Sequence, residues 1–149
     1  NLSMQQFEDR SLCARIHECL NRSGLNPDQL KIEVTERVLL QDMDYMKMMM
    51  EEMTGEGVGF YLDDFGTGYS NISCALSLPF EYIKLDRSLL VRLPGDSKVQ
   101  VFVRSMVETF HAMGQKIVVR RRGRRGTDRI TETIRRGLCP GILLRKAHA

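Results

Sequence analysis

The sequence comprises 149 residues with a formal net charge of +3, 42% hydrophobic residues and 28% charged residues. This balance is typical of a globular chain and excludes an intrinsically disordered one. No stretch approaches the roughly 20 apolar residues of a membrane span, and the four cysteines form no CxxC pair, which argues against a thiolate zinc site. We therefore expect reduced, packing thiols, no membrane segment and a cytoplasmic location.

Charge divides the chain near residue 120. Residues 120–149 carry ten Lys/Arg and two acids, whereas residues 1–119 have a balance of −5 and contain all ten aromatic residues. Such an asymmetry predicts two segments of different character. We therefore treat residues 1–119 as a partial domain and residues 120–149 as an Arg-rich divergent tail.

The first half of the chain alternates helix and strand patterns. Apolar spacing predicts an amphipathic helix over residues 4–23, a strand over 30–34, a helix over 42–56 and a strand over 58–62. The helix over 42–56 places a methionine stripe on one face, which is typical of core packing rather than of a binding surface. The stripe consists of Met46, Met49, Met50 and Met53.

The pattern continues with a strand over residues 82–85, a helix over 98–113 and a strand over 116–119. The helix aligns six apolar residues on one face: Val99, Phe102, Val103, Met106, Val107 and Phe110. Alternation at this pace predicts an α/β fold with parallel strands and crossover helices. A complete eightfold β/α barrel takes about 250 residues, so if this fold is a barrel, part of it is missing.

Carboxylates lie at or just after the ends of the first three predicted strands. They are Glu33 and Glu36, then the doublet Asp63-Asp64, then Asp86. The carboxyl ends of parallel strands open onto one edge, where clustered carboxylates attract hard divalent cations such as Mg²⁺ or Mn²⁺. The pattern therefore predicts a two-metal site for phosphoryl chemistry. For each single acid, the alternative is a helix cap or a solvated side chain.

Three strings carry a family resemblance. Residues 33–36 read EVTE, residues 63–70 read DDFGTGYS and residues 84–88 read KLDRS. In this order and spacing they resemble the successive motifs of EAL domains, and residues 1–3 are similar to an earlier strand of that family. The resemblance covers residues 1–119 and implies a partial TIM-like β/α barrel of the EAL type. It further implies a metal-dependent phosphodiesterase that opens cyclic-di-GMP to linear pGpG.

The resemblance also implies roles for individual residues. Asn1, Glu33, Asp63 and Asp64 match metal ligands, while Lys84 and Asp86 match catalytic positions. Glu36 matches the residue that holds a loop for substrate binding and dimerisation, so cyclic-di-GMP and a homodimer are the partners implied. The loop residues are Phe65, Gly66, Thr67, Gly68, Tyr69 and Ser70.

Two departures from the family pattern predict that the chain as written is inactive. The EAL string itself would lie upstream of Asn1. Where the family has AEGVE, with a glutamate associated with the metals, residues 120–125 read RRRGRR. Arginine in place of an acid would repel metal ions.

A shifted reading frame would explain the tail. Arginine codons CGC, CGA and AGG followed by GGT and CGA, read one base later, encode Ala-Glu-Gly-Val-Glu. The same shift across residues 145–149 gives Gly-Lys-Pro-Met, which resembles the end of many EAL domains. We therefore hypothesise that residues 120–149 are an out-of-frame reading of the same domain, which sequencing of the gene would test.

Two other functions stay open. A degenerate domain would bind cyclic-di-GMP as a receptor without cleaving it. Alternatively, the arginines of the tail would bind the phosphates of a nucleic acid. No aromatic residue lies among these arginines to stack on bases, so nucleic-acid binding is the least supported interpretation.

Overall fold

The computed structural model describes residues 1–39, 42–67, 72–121 and 142–146, which fall into two compact units. The first unit contains residues 1–63 and 72–81. The second contains residues 64–67, 82–121 and 142–146. In each unit helices pack beside parallel strands, as the sequence pattern predicts.

The first unit contains most of the helices. It comprises α1 (Met4–Glu8), α2 (Leu12–Ser23), a 3-10 turn (Pro27–Gln29), β1 (Lys31–Thr35), α3 (Glu36–Leu39), α4 (Met43–Gly55), most of β2 (Gly59–Phe65) and α5 (Ile72–Ser77). Strands β1 and β2 pair in parallel, from Lys31 opposite Gly59 to Thr35 opposite Asp63. The described helices of both units lack the length and apolar character that a membrane crossing needs.

The predicted continuous helix over residues 4–23 is wrong, because the chain breaks between α1 and α2. Asp9 accepts hydrogen bonds from the Ser11 N–H at 2.9 Å, the Ser11 hydroxyl at 2.6 Å and the Arg15 guanidinium at 2.8 Å. A short acidic side chain that bonds nearby backbone in this way competes with helical hydrogen bonding. Gly24, at φ 66°, ends α2 in the left-handed conformation that glycine adopts without strain.

The predicted methionine stripe of α4 is confirmed as core. Its four members are all buried, each exposing no more than 1% of its surface: Met46, Met49, Met50 and Met53. Flexible thioether side chains fill irregular space between a helix and a sheet without forcing strained rotamers. The methionines therefore stabilise the first unit by packing and supply no binding surface.

The second unit continues the parallel arrangement. It comprises most of β3 (Phe80–Leu85), α6 (Arg87–Val91), α7 (Ser97–Ala112), β4 (Lys116–Arg121) and β5 (Ile142–Lys146). Strand β3 pairs in parallel with β4, and β4 pairs in parallel with β5, so the strand order follows the chain order. Strand β5 was not predicted from the sequence. The rest of the predicted tail, residues 122–141 and 147–149, lies outside the described residues.

Two strands extend further than their sequence pattern predicts. Strand β2 continues to Phe65, so Asp63 and Asp64 lie within the strand, and β4 continues to Arg121. The predicted buried face of α7 is confirmed for Val103, Met106, Val107 and Phe110 but wrong for Phe102, which is 47% exposed. Helical spacing marks candidate positions, whereas the width of the packed stripe depends on the neighbouring elements.

Helix α7 begins at a well-made cap. The Asp96 carboxylate accepts hydrogen bonds from the Lys98 N–H at 3.0 Å and the Val99 N–H at 3.2 Å, and it pairs with Arg92 at 2.6 Å. The Val99 hydrogen bond is the largest cause that holds the pKa of Asp96 below its usual 3.8. Because the folded pKa is depressed, this stabilisation is present above pH 3.8 and is lost as the pH falls through the folded pKa.

We predict that Asp96→Ala lowers the thermal midpoint by about 2–4 °C at pH 7, as loss of a helix cap does in a chain of this size. Thermal denaturation followed by circular dichroism measures the shift. The gap between wild type and variant should narrow as the pH falls below 3.8. Asp96→Asn is the control, because asparagine retains the cap without the titrating charge. A gap that stays constant with pH would contradict the assignment.

Candidate functional site

One face of the β1–β2 pair carries the acidic residues. In the parallel register Glu33 lies opposite Tyr61, and Thr35 lies opposite Asp63. Successive residues of a strand point to opposite faces, so these four residues share one face. The other face is buried and consists of Ile32, Val34, Phe60 and Leu62. Burial of the apolar face thereby fixes Glu33 and Asp63 on the same side of the sheet.

Asn1 lies beside the same pair of strands. Leu2 forms a parallel bridge with Val34, and its N–H donates to the Glu33 carbonyl at 2.7 Å. Leu2 is buried with the apolar face, so alternation places the neighbouring Asn1 on the face that carries Glu33. The structure thus brings three predicted metal ligands of the first unit, Asn1, Glu33 and Asp63, to one face.

Glu36 occupies a buried position at the start of α3 and is 4% exposed. Burial raises the pKa of the Cys74 thiol, and the charge of Glu36 raises it further. Its predicted role of holding the loop stays a prediction. Gly68, Tyr69 and Ser70 of that loop lie outside the described residues.

The second acid of the doublet has an unusual backbone. Asp64 is exposed and adopts φ 56°, the left-handed region that aspartate tolerates better than most side chains. Gly66 follows at φ 104°, which favours glycine. Non-glycine residues in this region cluster at functional sites, where the surrounding structure compensates for the strain. The geometry therefore singles out the doublet that the sequence predicts as metal-binding.

Lys84 and Asp86 lie at the end of β3. Lys84 is half-buried and pairs in register with Val118, whereas its neighbours Ile83 and Leu85 are buried. Asp86 accepts a hydrogen bond from the Ser88 N–H at 2.8 Å and caps α6. Burial raises the pKa of Asp86, but hydrogen bonds from Ser88 and Arg87 outweigh it and lower the pKa below 3.8. Asp86 therefore caps α6, and its predicted catalytic role stays a prediction.

Two arginines continue β4 at the same edge. Leu85 pairs with Val119, so Arg120 follows Val119 at the level where Asp86 follows Leu85. Arg121 pairs in turn with Lys146 of β5. The carboxyl end of β4 thus presents cationic residue types beside the predicted catalytic acid.

The predicted ligands suit a hard divalent cation in kind, because carboxylate and amide oxygens are the donors that Mg²⁺ and Mn²⁺ prefer. Within residues 1–39, 42–67, 72–121 and 142–146, no three His, Cys, Asp or Glu side chains lie close enough together to hold a metal ion. The described carboxylates do not by themselves complete a metal centre.

Sequence reasoning missed two residues of the acid-bearing face, Thr35 and Tyr61. Both are half-buried members of the β1–β2 register. The available signal was period-two alternation around the buried Val34 and Leu62, which separates the residues of one face from those of the other. Motif reading concentrated on the acids and passed over these neighbours.

Comparison with known proteins agrees with the family resemblance of the sequence motifs. The model of the EAL domain family matches residues 1–121. MucR of Pseudomonas aeruginosa, a bifunctional diguanylate cyclase/cyclic di-GMP phosphodiesterase, is 36% identical over 118 residues, which are 79% of this chain and 17% of MucR. The chain therefore spans well under two thirds of this relative.

Solved structures show the same fold. The MucR phosphodiesterase in complex with c-di-GMP matches with a TM-score of 0.73 at 32% identity, over 89% of this chain and 54% of that chain. Klebsiella pneumoniae BlrP1, solved with manganese and cyclic-di-GMP, matches in fold with a TM-score of 0.72 at 24% identity, over 87% of this chain and 33% of that chain. These matches confirm the predicted parallel β/α architecture of a partial barrel.

Three kinds of observation point to the same family. They are the sequence motifs at residues 33–36, 63–70 and 84–88, the parallel strands, and the family match over residues 1–121. The chain belongs to the EAL domain family.

Proposed function

We propose that Glu33, Asp63, Asp64 and Lys84 are the residues with which this chain takes part in cyclic-di-GMP phosphodiesterase chemistry, and that the chain does not hydrolyse the nucleotide as it stands. The observation that carries the proposal is the shared face of Glu33 and Asp63, opposite the buried apolar face. Carboxylates on one face repel the phosphates of a nucleotide unless a cation lies between them. A polyanionic nucleotide would therefore bind this face only together with divalent cations.

The relatives support the choice of ligand. MucR is named as a cyclic di-GMP phosphodiesterase, and its phosphodiesterase domain was solved with c-di-GMP. Divalent metal dependence is supported by family structures that contain manganese or calcium. We propose Mg²⁺ or Mn²⁺ for this chain, because its predicted ligands are oxygen donors.

The arginines of β4 support the absence of hydrolysis. Arg120 and Arg121 stand at the strand end beside Asp86, where the family resemblance predicts a glutamate associated with the metals. Like charges at close range raise the free energy of a bound cation. A metal-dependent reaction at this edge would therefore lose both a ligand and affinity for the metal.

The setting of this chemistry is also a proposal. Cys13, Cys19 and Cys74 are free thiols, which supports a reducing, cytoplasmic environment.

We further propose that a homodimer forms through the loop that begins at Phe65. Sedimentation velocity of wild type and of Thr67→Arg, an exposed residue of that loop, tests the association, with Met48→Arg as the control at another exposed position.

Calorimetric titration with cyclic-di-GMP, once in excess Mn²⁺ and once in EDTA, tests the main proposal. Chromatography of the same samples detects pGpG. We expect measurable binding that EDTA weakens at least about ten-fold, since cation removal restores repulsion between phosphates and carboxylates, and no pGpG. Formation of pGpG would contradict the proposed inactivity.

A receptor that binds cyclic-di-GMP without metals is the second candidate. The observation in its favour is that the described carboxylates do not complete a metal centre. The same titration separates the two candidates, because a receptor would bind with equal affinity in EDTA and in Mn²⁺. Absence of binding in both conditions would contradict both.

The proposed repulsion between metal ions and the arginines of β4 gives a separate prediction. Arg121→Glu should tighten Mn²⁺ binding by about ten-fold, because it replaces a cation by an anion at the carboxyl edge of β4. Lys116→Glu is the matched control: it makes the same charge change at the opposite end of the same strand. Manganese electron paramagnetic resonance measures both affinities. Equal effects of the two substitutions would show that net charge alone matters and would refute a local role for Arg121.

A further inference from the structure

The turn that follows Asp64 combines two left-handed residues. Asp64 at φ 56° and Gly66 at φ 104° flank Phe65, which is 1% exposed. A strained backbone of this kind persists only where contacts with neighbouring residues hold it in place. The contacts around residues 64–67 therefore hold the backbone position of Asp64.

Phe65 is held from two directions within the second unit. Its ring packs edge-to-face on Phe110, with centroids 5.6 Å apart and planes at 83°. Its carbonyl accepts a hydrogen bond from the Asp86 N–H at 2.8 Å. The residue between the two left-handed positions is thus fixed by α7 and by the end of β3.

Gly66 is held by a residue to which neither the sequence motifs nor the family resemblance gives a role. A Cβ at Gly66 would lie 3.1 Å from the Leu89 Cδ2 and 3.3 Å from the Leu89 Cβ. Leu89 therefore fills the space that a side chain at position 66 would need. Because these contacts are tighter than ordinary van der Waals separation, any side chain at residue 66 would displace either Leu89 or the turn.

Leu89 is itself anchored to the site. It lies in α6, whose first turn is capped by Asp86 through the Ser88 N–H at 2.8 Å. Asp86 thus holds Phe65 through its N–H, and its carboxylate caps the helix that carries Leu89. Asp64, the turn and α6 are therefore linked by direct contacts within the second unit.

We infer that Leu89 is a positioning residue for Asp64: its side chain packs on Gly66, holds the left-handed turn after Asp64 and so sets the affinity of the chain for cyclic-di-GMP. The inference rests on the proposed function for its ligand. The packing between Leu89 and Gly66 can be tested without any ligand.

A double-mutant cycle in urea tests the packing. Gly66→Ala should raise the unfolding equilibrium constant by about 30-fold in wild type, because it adds both backbone strain and a clash with Leu89. In a Leu89→Ala background the clash is absent, so the same substitution should cost only about five-fold. In a Leu90→Ala background, which removes the buried neighbour of Leu89 on α6, the 30-fold effect should persist. Equal costs in all three backgrounds would overturn the inference.

Calorimetric titration with cyclic-di-GMP in Mn²⁺ tests the consequence for binding. Leu89→Ala should weaken binding about ten-fold, whereas Leu89→Met, which conserves volume, and Leu90→Ala should change it by less than about three-fold. A loss shared by Leu89→Ala and Leu90→Ala would reflect stability alone and would overturn the positioning role. If wild type binds no nucleotide, the proposed function fails, while the urea cycle still decides whether Leu89 holds the turn.

Discussion

The parallel register of β1 and β2 is the constraint on which the candidate site depends. Ile32, Val34, Phe60 and Leu62 are buried on one face, and each such side chain contributes about 1.5–3 kcal/mol when it leaves water. A slip by one residue would expose this apolar set and bury Glu33 and Asp63 instead. The hydrophobic effect thereby places Glu33 and Asp63 on one face of the strand pair.

The acids occupy positions that cost free energy. Asp64 adopts a left-handed backbone, and Glu36 is 4% exposed at the start of a helix. A domain tolerates such positions when packing elsewhere offsets them, and local conflicts of this kind concentrate at functional sites. The methionine core of α4 and the aromatic pair of Phe65 and Phe110 supply packing of that kind.

The carboxyl edge of the second unit carries an electrostatic conflict. Asp86 there keeps a depressed pKa through hydrogen bonds from Ser88 and Arg87 despite its burial, so it stays ionised at neutral pH. The strand β4 ends beyond Val119 with Arg120 and Arg121, and Arg120 follows at the level of Asp86. The proposed loss of hydrolysis depends on these residue types at this strand end rather than on the net charge of the chain.

The sequence by itself determined the family, the parallel α/β class and the residues of the acid doublet, because motif spacing and hydrophobic periodicity are local properties of the chain. It also determined the methionine face of α4, which a single helix shows by its own period. The break at Asp9, the exposure of Phe102 and strand β5 depend on local competition or distant neighbours, so periodicity alone did not predict them. Only the tertiary structure decided that Asp86 caps α6 and that Leu89 packs on Gly66. The cap depends on where α6 begins, and the contact between Leu89 and Gly66 joins segments far apart in sequence. Both are set by packing in three dimensions rather than by residue type.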